Sequence, residues 1–422
     1  MTFEDLQLAP PILRALKEKN YTEPTSIQTK AIPTVLQGRD VLGSAQTGTG
    51  KTAAFAIPII QQMMQEGNKQ QKTPPISALV VTPTRELAIQ IADNFRAYAK
   101  HTPIRSTVIF GGVKQHSQER ALQKGVDVLV ATPGRLLDLM GQGFISLKQV
   151  KYFVLDEADR MLDMGFIHDI KKLLSELPKQ RQSLFFSATM PKAIVKLSQE
   201  ILNDPEKIAA NVVSSSAETL QQFVYMTNKS HKKDLLLHLL KDPELDQALV
   251  FSRTKHGADR IARQLKKKGI HCAAIHGGKN QNQRQKALKQ FKIGHTRLLV
   301  ATDIAARGID INKLRYVINY DIPNEAETYV HRIGRAGRAG EEGIAISICE
   351  PEENAYVRDI EKLINKSITR VEEHPYPQTD SPMTADEKKM AEQEKQQRKQ
   401  EFFANRNKNR NTSGRSNKRR KR

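Results

Sequence analysis

The sequence predicts an α/β chain: two parallel-sheet domains, a short linker, and a basic tail without fixed structure. Three observations carry this. Short, largely apolar runs alternate with longer helical patterns, as strands covered by helices on both faces do. The runs fall into two series, at 40–43, 78–82, 126–131, 152–155 and 184–187, then at 248–251, 296–301, 316–319 and 344–348. Between them, the stretch 212–218 with Ser214, Ser215 and Ser216 reads as a linker, and past position 380 the chain becomes strongly basic.

A chain of 422 residues, at ~150 residues per domain, suggests two or three domains. We place the first at 1–208, the linker at 209–219, the second domain at 220–370 and the tail at 371–422. No short-period repeat is visible. The formal net charge of +21 points to nucleic acid or another polyanion as partner. Residues 381–422 hold 14 of the lysines and arginines against 5 acids. From Asn405 onward almost nothing is apolar, so burial cannot offset the entropy of ordering, and the segment is expected to be disordered. No run reaches the ~18 apolar residues that span a bilayer. The start, from Met1 to Asp5, is acidic where a signal peptide would be basic. Cys272 and Cys349 are too few for a disulfide framework or a zinc site and sit in apolar strand contexts as packing residues. A soluble, cytoplasmic protein with no membrane partner is expected.

The first strand runs into Ala45-Gln46-Thr47-Gly48-Thr49-Gly50-Lys51-Thr52. Apart from Ala45 in place of the leading glycine, this is a P-loop. Gly48 and Gly50 let backbone N–H groups turn toward phosphate oxygens. Lys51 supplies positive charge for the β- and γ-phosphates, and the Thr52 hydroxyl can ligate Mg2+. The strand at 152–155 ends in Asp156-Glu157-Ala158-Asp159. Alone, such acids could simply favour the start of a helix. Beside a P-loop, Asp156 suits a Mg2+ ligand, and Glu157 can orient and deprotonate a water.

Two more strands end alike, in Thr82-Pro83-Thr84-Arg85 and Thr132-Pro133-Gly134-Arg135. Threonine at the N-cap followed by proline announces a helix start. With an arginine beside it, and Gly111-Gly112 nearby, such an end can also take a phosphate backbone. In the second domain Arg332, Arg335 and Arg338 recur every third residue, so a helix would align them. Guanidiniums gathered on one face want a bridging anion. Presented to a nucleotide in the other domain they form an arginine finger, worth ~10³–10⁵ in rate.

These motifs occur in order with Ser187-Ala188-Thr189 and the run from Ala301 to Asp310. Together, over roughly 3–365, the chain resembles the DEAD-box ATP-dependent RNA helicases. The context Arg160-Met161-Leu162-Asp163-Met164-Gly165-Phe166 is similar to the bacterial RhlE-type subgroup. The resemblance implies two RecA-like domains. It implies a nucleotide site at Phe3, Tyr21, Gln28, Ala45, Gln46, Thr47, Gly48, Thr49, Gly50, Lys51, Thr52 and Asp303, with ATP and Mg2+ bound. Gln28 would read the adenine edge and Asp303 meet the ribose. The catalytic set would be Lys51, Asp156, Glu157, Arg335 and Arg338, and the metal ligands Thr52 and Asp156.

By the same resemblance, Ser187 and Thr189 would couple the site to domain closure, bonding toward Asp159 and His331. RNA would lie on Pro83, Thr84, Arg85, Gly112, Thr132, Gly134 and Arg135 and, across the cleft, on Arg253, Thr254, Gly277, Gln281, Thr302 and Arg307. Such groups read sugar and phosphate, so little sequence specificity is expected. Ribosomal or RNA-decay proteins are implied as partners. The chain departs from the family at Ala336, where many members carry threonine, and at Ser252, where many carry cysteine; neither loses a charge. The expected activity is RNA-stimulated ATP hydrolysis that opens short duplexes locally. The competing expectation is an RNA clamp or annealing chaperone that binds chiefly through its tail.

Overall fold

The computed structural model describes residues 1–44, 49–67, 74–209, 220–306, 314–337 and 343–382, with four single positions beyond. Ala45, Gln46, Thr47, Gly48, Arg307, Arg338, nearly all of the linker and most of the tail lie outside the described residues.

Two seven-stranded sheets organise the chain. The first holds β1 (Val41–Ser44), β2 (Ala78–Val81), β3 (Ser106–Ile109), β4 (Val128–Ala131), β5 (Tyr152–Leu155), β6 (Gln182–Ser187) and β7 (Glu206–Ala209). The second holds β8 (Leu220–Met226), β9 (Ala248–Phe251), β10 (Cys272–Ile275), β11 (Leu298–Ala301), β12 (Tyr316–Asn319), β13 (Gly343–Cys349) and β14 (Thr369–Val371). Every described pairing in the first sheet is parallel, and so is every one in the second. The spatial orders are β3-β4-β2-β5-β6-β1-β7 and β10-β11-β9-β12-β13-β8-β14. Counting strands within each domain, these are the same order: one topology is used twice. No helix among the described residues is long and apolar enough to cross a membrane.

The central strands β2 and β9 are apolar throughout because each face has its own cover. Along β2, Val80 packs with one buried cluster while Leu79 and Val81 pack with the other. Along β9, Leu249 and Phe251 face one cluster while Ala248 and Val250 face the second. Alternate residues point to opposite faces, so both sets must be apolar.

The helices run where caps and phosphate-binding turns would place them, with two shifts. Thr132 caps the helix Pro133–Gly141, with proline in its first turn. After β2, however, the helix is Arg85–Tyr98, and its N-cap is Thr84, whose hydroxyl accepts from the Leu87 N–H. Thr82 and Pro83 therefore precede the helix instead of opening it. A second shift concerns the arginine block. The helix Ala326–Ile333 ends before Arg335, so Arg335 lies in the following turn and is not on a continuous helical face with Arg332.

Candidate functional site

Strand order divides the carboxyl rim of the first sheet into two neighbourhoods. β5, β6 and β1 are adjacent and carry the acidic motif, Ser187-Ala188-Thr189 and the P-loop. β3, β4 and β2 are adjacent and carry Gly111-Gly112, Thr132-Pro133-Gly134-Arg135 and Thr82-Pro83-Thr84-Arg85. One rim thus offers two separate anion-binding regions.

The first region is a cavity of about 320 Å³ lined by Tyr21, Gln28, Gly50, Lys51, Thr52, Asp156 and Glu157, among others. Lys51 opens the helix Lys51–Gln65 after Gly50, which takes a left-handed φ of 92°. Its Nζ lies 3.8 Å from Asp156 Oδ1, with both side chains buried. That oxygen accepts no hydrogen bond, and burial, opposed by Lys51, pushes the Asp156 carboxyl up to about 6. A buried carboxylate oxygen without a donor, beside a threonine hydroxyl, suits a hard cation. The residues present therefore fit Mg2+, which Thr52 and Asp156 would hold.

Glu157 holds φ 57° and ψ 51°, a left-handed conformation costly for a side chain with a Cβ. Its Oε2 accepts from Arg160 Nη1 at 2.5 Å. The backbone thus holds its strain at the carboxylate the sequence points to as a base.

Gln28 sits in a capping box with Thr25, its amide oxygen accepting from the Thr25 N–H at 2.9 Å. Its amide nitrogen donates to the Gly50 carbonyl at 3.1 Å, and Thr25 Oγ1 donates to the Thr49 carbonyl at 2.9 Å. The helix start and the phosphate turn are thereby tied together. Each amide group of Gln28 keeps one further bonding position. Tyr21, 38% exposed, stacks on buried Phe3 with ring centroids 6.4 Å apart. Phe3 backs Tyr21 and does not itself line the cavity.

The coupling residues converge in part. Thr189 donates to Asp159 Oδ2 from its N–H at 2.9 Å and its hydroxyl at 3.0 Å, and the Asp159 N–H donates to Ser187 Oγ at 3.2 Å. His331 and Arg335 share a narrow space with Arg160 and Asp303. Asp303 accepts from Arg332 at both oxygens, so its carboxylate is already engaged within its own domain.

The second region is a groove of about 640 Å³ between the domains. Pro83, Thr84, Arg85, Thr132, Gly134 and Arg135 line it from the first domain, and Gly277 from the second. Gly112, at φ 80°, leaves room for the Arg85 guanidinium, which a Cβ there would strike. Arg135 Nη1 and Arg284 Nε are buried without hydrogen-bond partners. Burial and the nearby Arg284 and Arg135 charges lower the Arg85 guanidinium's hold on its proton. Crowded cations with unused donors form a site that an anion would relieve. Thr254 caps the helix Lys255–Lys267 at the end of β9, as Thr84 does at the end of β2. Arg253, Thr254 and Thr302 stand at strand ends outside the groove's lining.

Gln281 is buried and donates to Glu86 Oε1 at 3.0 Å, while Arg284 Nη2 donates to Glu86 Oε2 at 2.7 Å. This carboxylate, buried in the first domain's rim, is bonded twice by the second domain. The sequence reading passed over Glu86 and Arg284, although Glu86 lies beside Arg85 in a motif it had singled out. It also passed over Arg160, detectable as a cation three residues from Glu157 at the head of a helix.

Comparison with known proteins gives the same picture. Residues 25–197 match the DEAD/DEAH box helicase family and residues 231–340 the helicase conserved C-terminal domain. The chain is 42% identical over 370 residues to the DEAD-box ATP-dependent RNA helicase CshA of Geobacillus kaustophilus, covering 88% of this chain and 78% of that one. It is 43% identical over 373 residues to the ATP-dependent RNA helicase DeaD of Haemophilus influenzae, covering 88% of this chain and 60% of that one. Among solved structures it is similar to S. cerevisiae Dbp5 bound to RNA and ADP BeF3, with a TM-score of 0.75 and 32% identity, covering 88% and 95% of the two chains. Its two parallel sheets are RecA-like domains, and the chain belongs to the DEAD-box family of ATP-dependent RNA helicases.

Proposed function

We propose that this chain hydrolyses ATP in response to RNA and uses the cycle to open short RNA duplexes locally, remodelling RNA or ribonucleoprotein. The observation that carries the reading is the divided rim, which sets a phosphate-turn cavity and an arginine groove side by side, with a second domain that lines the groove and packs against Arg160 next to the cavity.

ATP binds in the first cavity, with Tyr21 stacking on the base, Gln28 bonding its edge and Lys51 countering the phosphates. Ala45, Gln46, Thr47, Gly48, Thr49 and Gly50 supply the turn around them. Thr52 and Asp156 hold Mg2+, whose chemistry when bound is to neutralise phosphate charge. Glu157 takes a proton from the attacking water, with Arg160 fixing the carboxylate. Arg335 and Arg338 reach the γ-phosphate from the second domain, and Asp303 meets the ribose once Arg332 yields part of its hold. Ser187, Thr189, Asp159 and His331 transmit closure. RNA lies along the groove and the ends of β9 and β11, contacted through sugar and phosphate by the residues named for it, including Arg307. Gln281 acts there chiefly by joining Glu86. Closure bends one strand into a path that a duplex cannot follow, and phosphate release reopens the cleft.

Within the family we assign the chain to the RhlE-type subgroup on the sequence after the acidic motif. We place the working boundaries at 1–208, 209–219, 220–370 and 371–422. The protein acts in the cytoplasm, and ribosomal or RNA-decay proteins are its partner class. The clamp or annealing reading rests on the tail's charge. Steady-state ATPase measured alone, with single-stranded RNA and with DNA of the same sequence decides between them. Stimulation by RNA and not by DNA is expected. Slow hydrolysis indifferent to RNA in folded protein gives the clamp the lead.

A further inference from the structure

Because the two sheets share one strand order, each feature of the first domain's rim has a counterpart in the second. β1 leads to Lys51, the first residue of its helix; β8 leads to Lys232, the first residue of the helix Lys232–Leu239. Lys51 faces Asp156 beyond β5 at 3.8 Å, and Lys232 faces Asp321 beyond β12 at 3.7 Å. Both lysines are buried. The surroundings then differ. Where Lys51 borders an open cavity, Lys232 Nζ meets Glu353 Oε2 at 2.8 Å.

Glu353, 1% exposed, is bonded on every side. It accepts from the Ile322 N–H at 3.1 Å and the Glu350 N–H at 3.2 Å, and from Arg253 Nη2. Arg253 Nη2 also donates to the Ile322 carbonyl at 2.8 Å, and the Arg253 N–H donates to Asp321 at 2.8 Å. Only Nη2 of the guanidinium has a described bond, and the side chain remains 39% exposed. The arginine is therefore anchored by one nitrogen with the others available.

We propose that Glu353 is a positioning residue: the chain's own carboxylate stands where this topology would otherwise hold a phosphate, and it fixes Arg253 for contact with an RNA phosphate. The duplicated phosphate site has become a clamp on an RNA-binding arginine. This rests on Arg253 being an RNA contact, as assigned above.

The test is a double-variant cycle on the full chain, reading ATPase activity against poly-uridine concentration. Glu353→Gln keeps the side chain's shape, and Lys232 keeps Asp321 and Glu350 at 3.7 and 3.9 Å as charge partners. Glu353→Gln and Arg253→Ala are each expected to raise the half-activating RNA concentration about tenfold, Glu353→Gln with unchanged kcat at saturating RNA. The double variant is expected to be no worse than Arg253→Ala. Multiplying effects, to about a hundredfold, would overturn the positioning role while leaving Arg253 an RNA contact. A normal half-activating concentration in Arg253→Ala would remove that assignment and the proposal with it. Should Glu353→Gln fail to fold, Lys232→Met combined with Glu353→Met removes both buried charges at matched volume. The same tenfold rise is expected there, and a wild-type value would overturn the proposal.

Discussion

Replacing Glu86 by alanine removes two hydrogen bonds that exist only while the domains meet. With the domains in contact its carboxylate is buried and accepts from Gln281 at 3.0 Å and from Arg284 at 2.7 Å. Bonds to a charged group contribute about 1.5–3 kcal/mol each. Desolvating the carboxylate and the guanidinium on closing takes back part of this, leaving a net of about 2–4 kcal/mol. In the separated domains both groups are solvated and the substitution costs little. Closure should then become less favourable by roughly 30- to 1000-fold, at ~1.4 kcal/mol per factor of ten. The assay is the half-activating RNA concentration of the ATPase, with nucleotide affinity of the RNA-free protein as control. The first should rise within that range and the second stay constant. Arg284→Ala should do the same, and the double variant should be little worse than either. A wild-type half-activating concentration in Glu86→Ala would refute the claim that this pair stabilises closure.

Three further outcomes follow from the geometry. Glu157→Gln keeps the size of the side chain but not its basicity, so kcat should fall about 10²–10⁴-fold with nucleotide affinity preserved; equal turnover would take Glu157 out of the proton transfer. Gly112→Ala forces a Cβ into the Arg85 guanidinium at a φ of 80°. RNA activation should weaken at least severalfold while nucleotide binding is unaffected, and intact RNA activation would separate Arg85 from the RNA path. Burial pushes the Cys349 thiol up to about 12 from its ordinary value of 9.0. The unfolded thiol therefore ionises first, so as pH rises above 9.0 the folded state loses relative stability. Iodoacetamide at mildly alkaline pH should label Cys349 only after denaturation, and rapid labelling of native protein would contradict its burial.

What the sequence made legible follows from how locally each feature is encoded. Tyr152–Leu155, Ala248–Phe251 and Tyr316–Asn319 are the residues expected as strands because helices cover both their faces, leaving only Asn319, at the end of the last, as a polar position. The edge strands β3, β7 and β14 went unread because polar residues such as Ser106, Glu206 and Arg370 interrupt the apolar run, while the edge strand β10 was read only as the apolar strand context of Cys272. β8 was hidden differently, since Gln221 and Gln222 break its pattern although it lies inside the sheet.

At the site, Lys51 and Asp156 were legible because each follows a strand in a short motif whose chemistry is complete within a few residues. The Glu86–Arg284 pair joins residues 198 positions apart, and Lys232–Glu353 joins residues 121 apart. Nothing local in either partner announces the other. The division of the rim into two anion regions was equally out of reach, because it depends on strand order and chain order does not contain it.

The central claim is that nucleotide and RNA are bound by one closed arrangement of two otherwise separable domains. Energy transfer between a dye on each domain tests it directly, measured free, with a non-hydrolysable ATP analogue, with single-stranded RNA, and with both. High transfer only when both are present is the predicted result. Equal transfer in all four conditions, or closure by either ligand alone to the same value, would contradict the coupling on which the account rests.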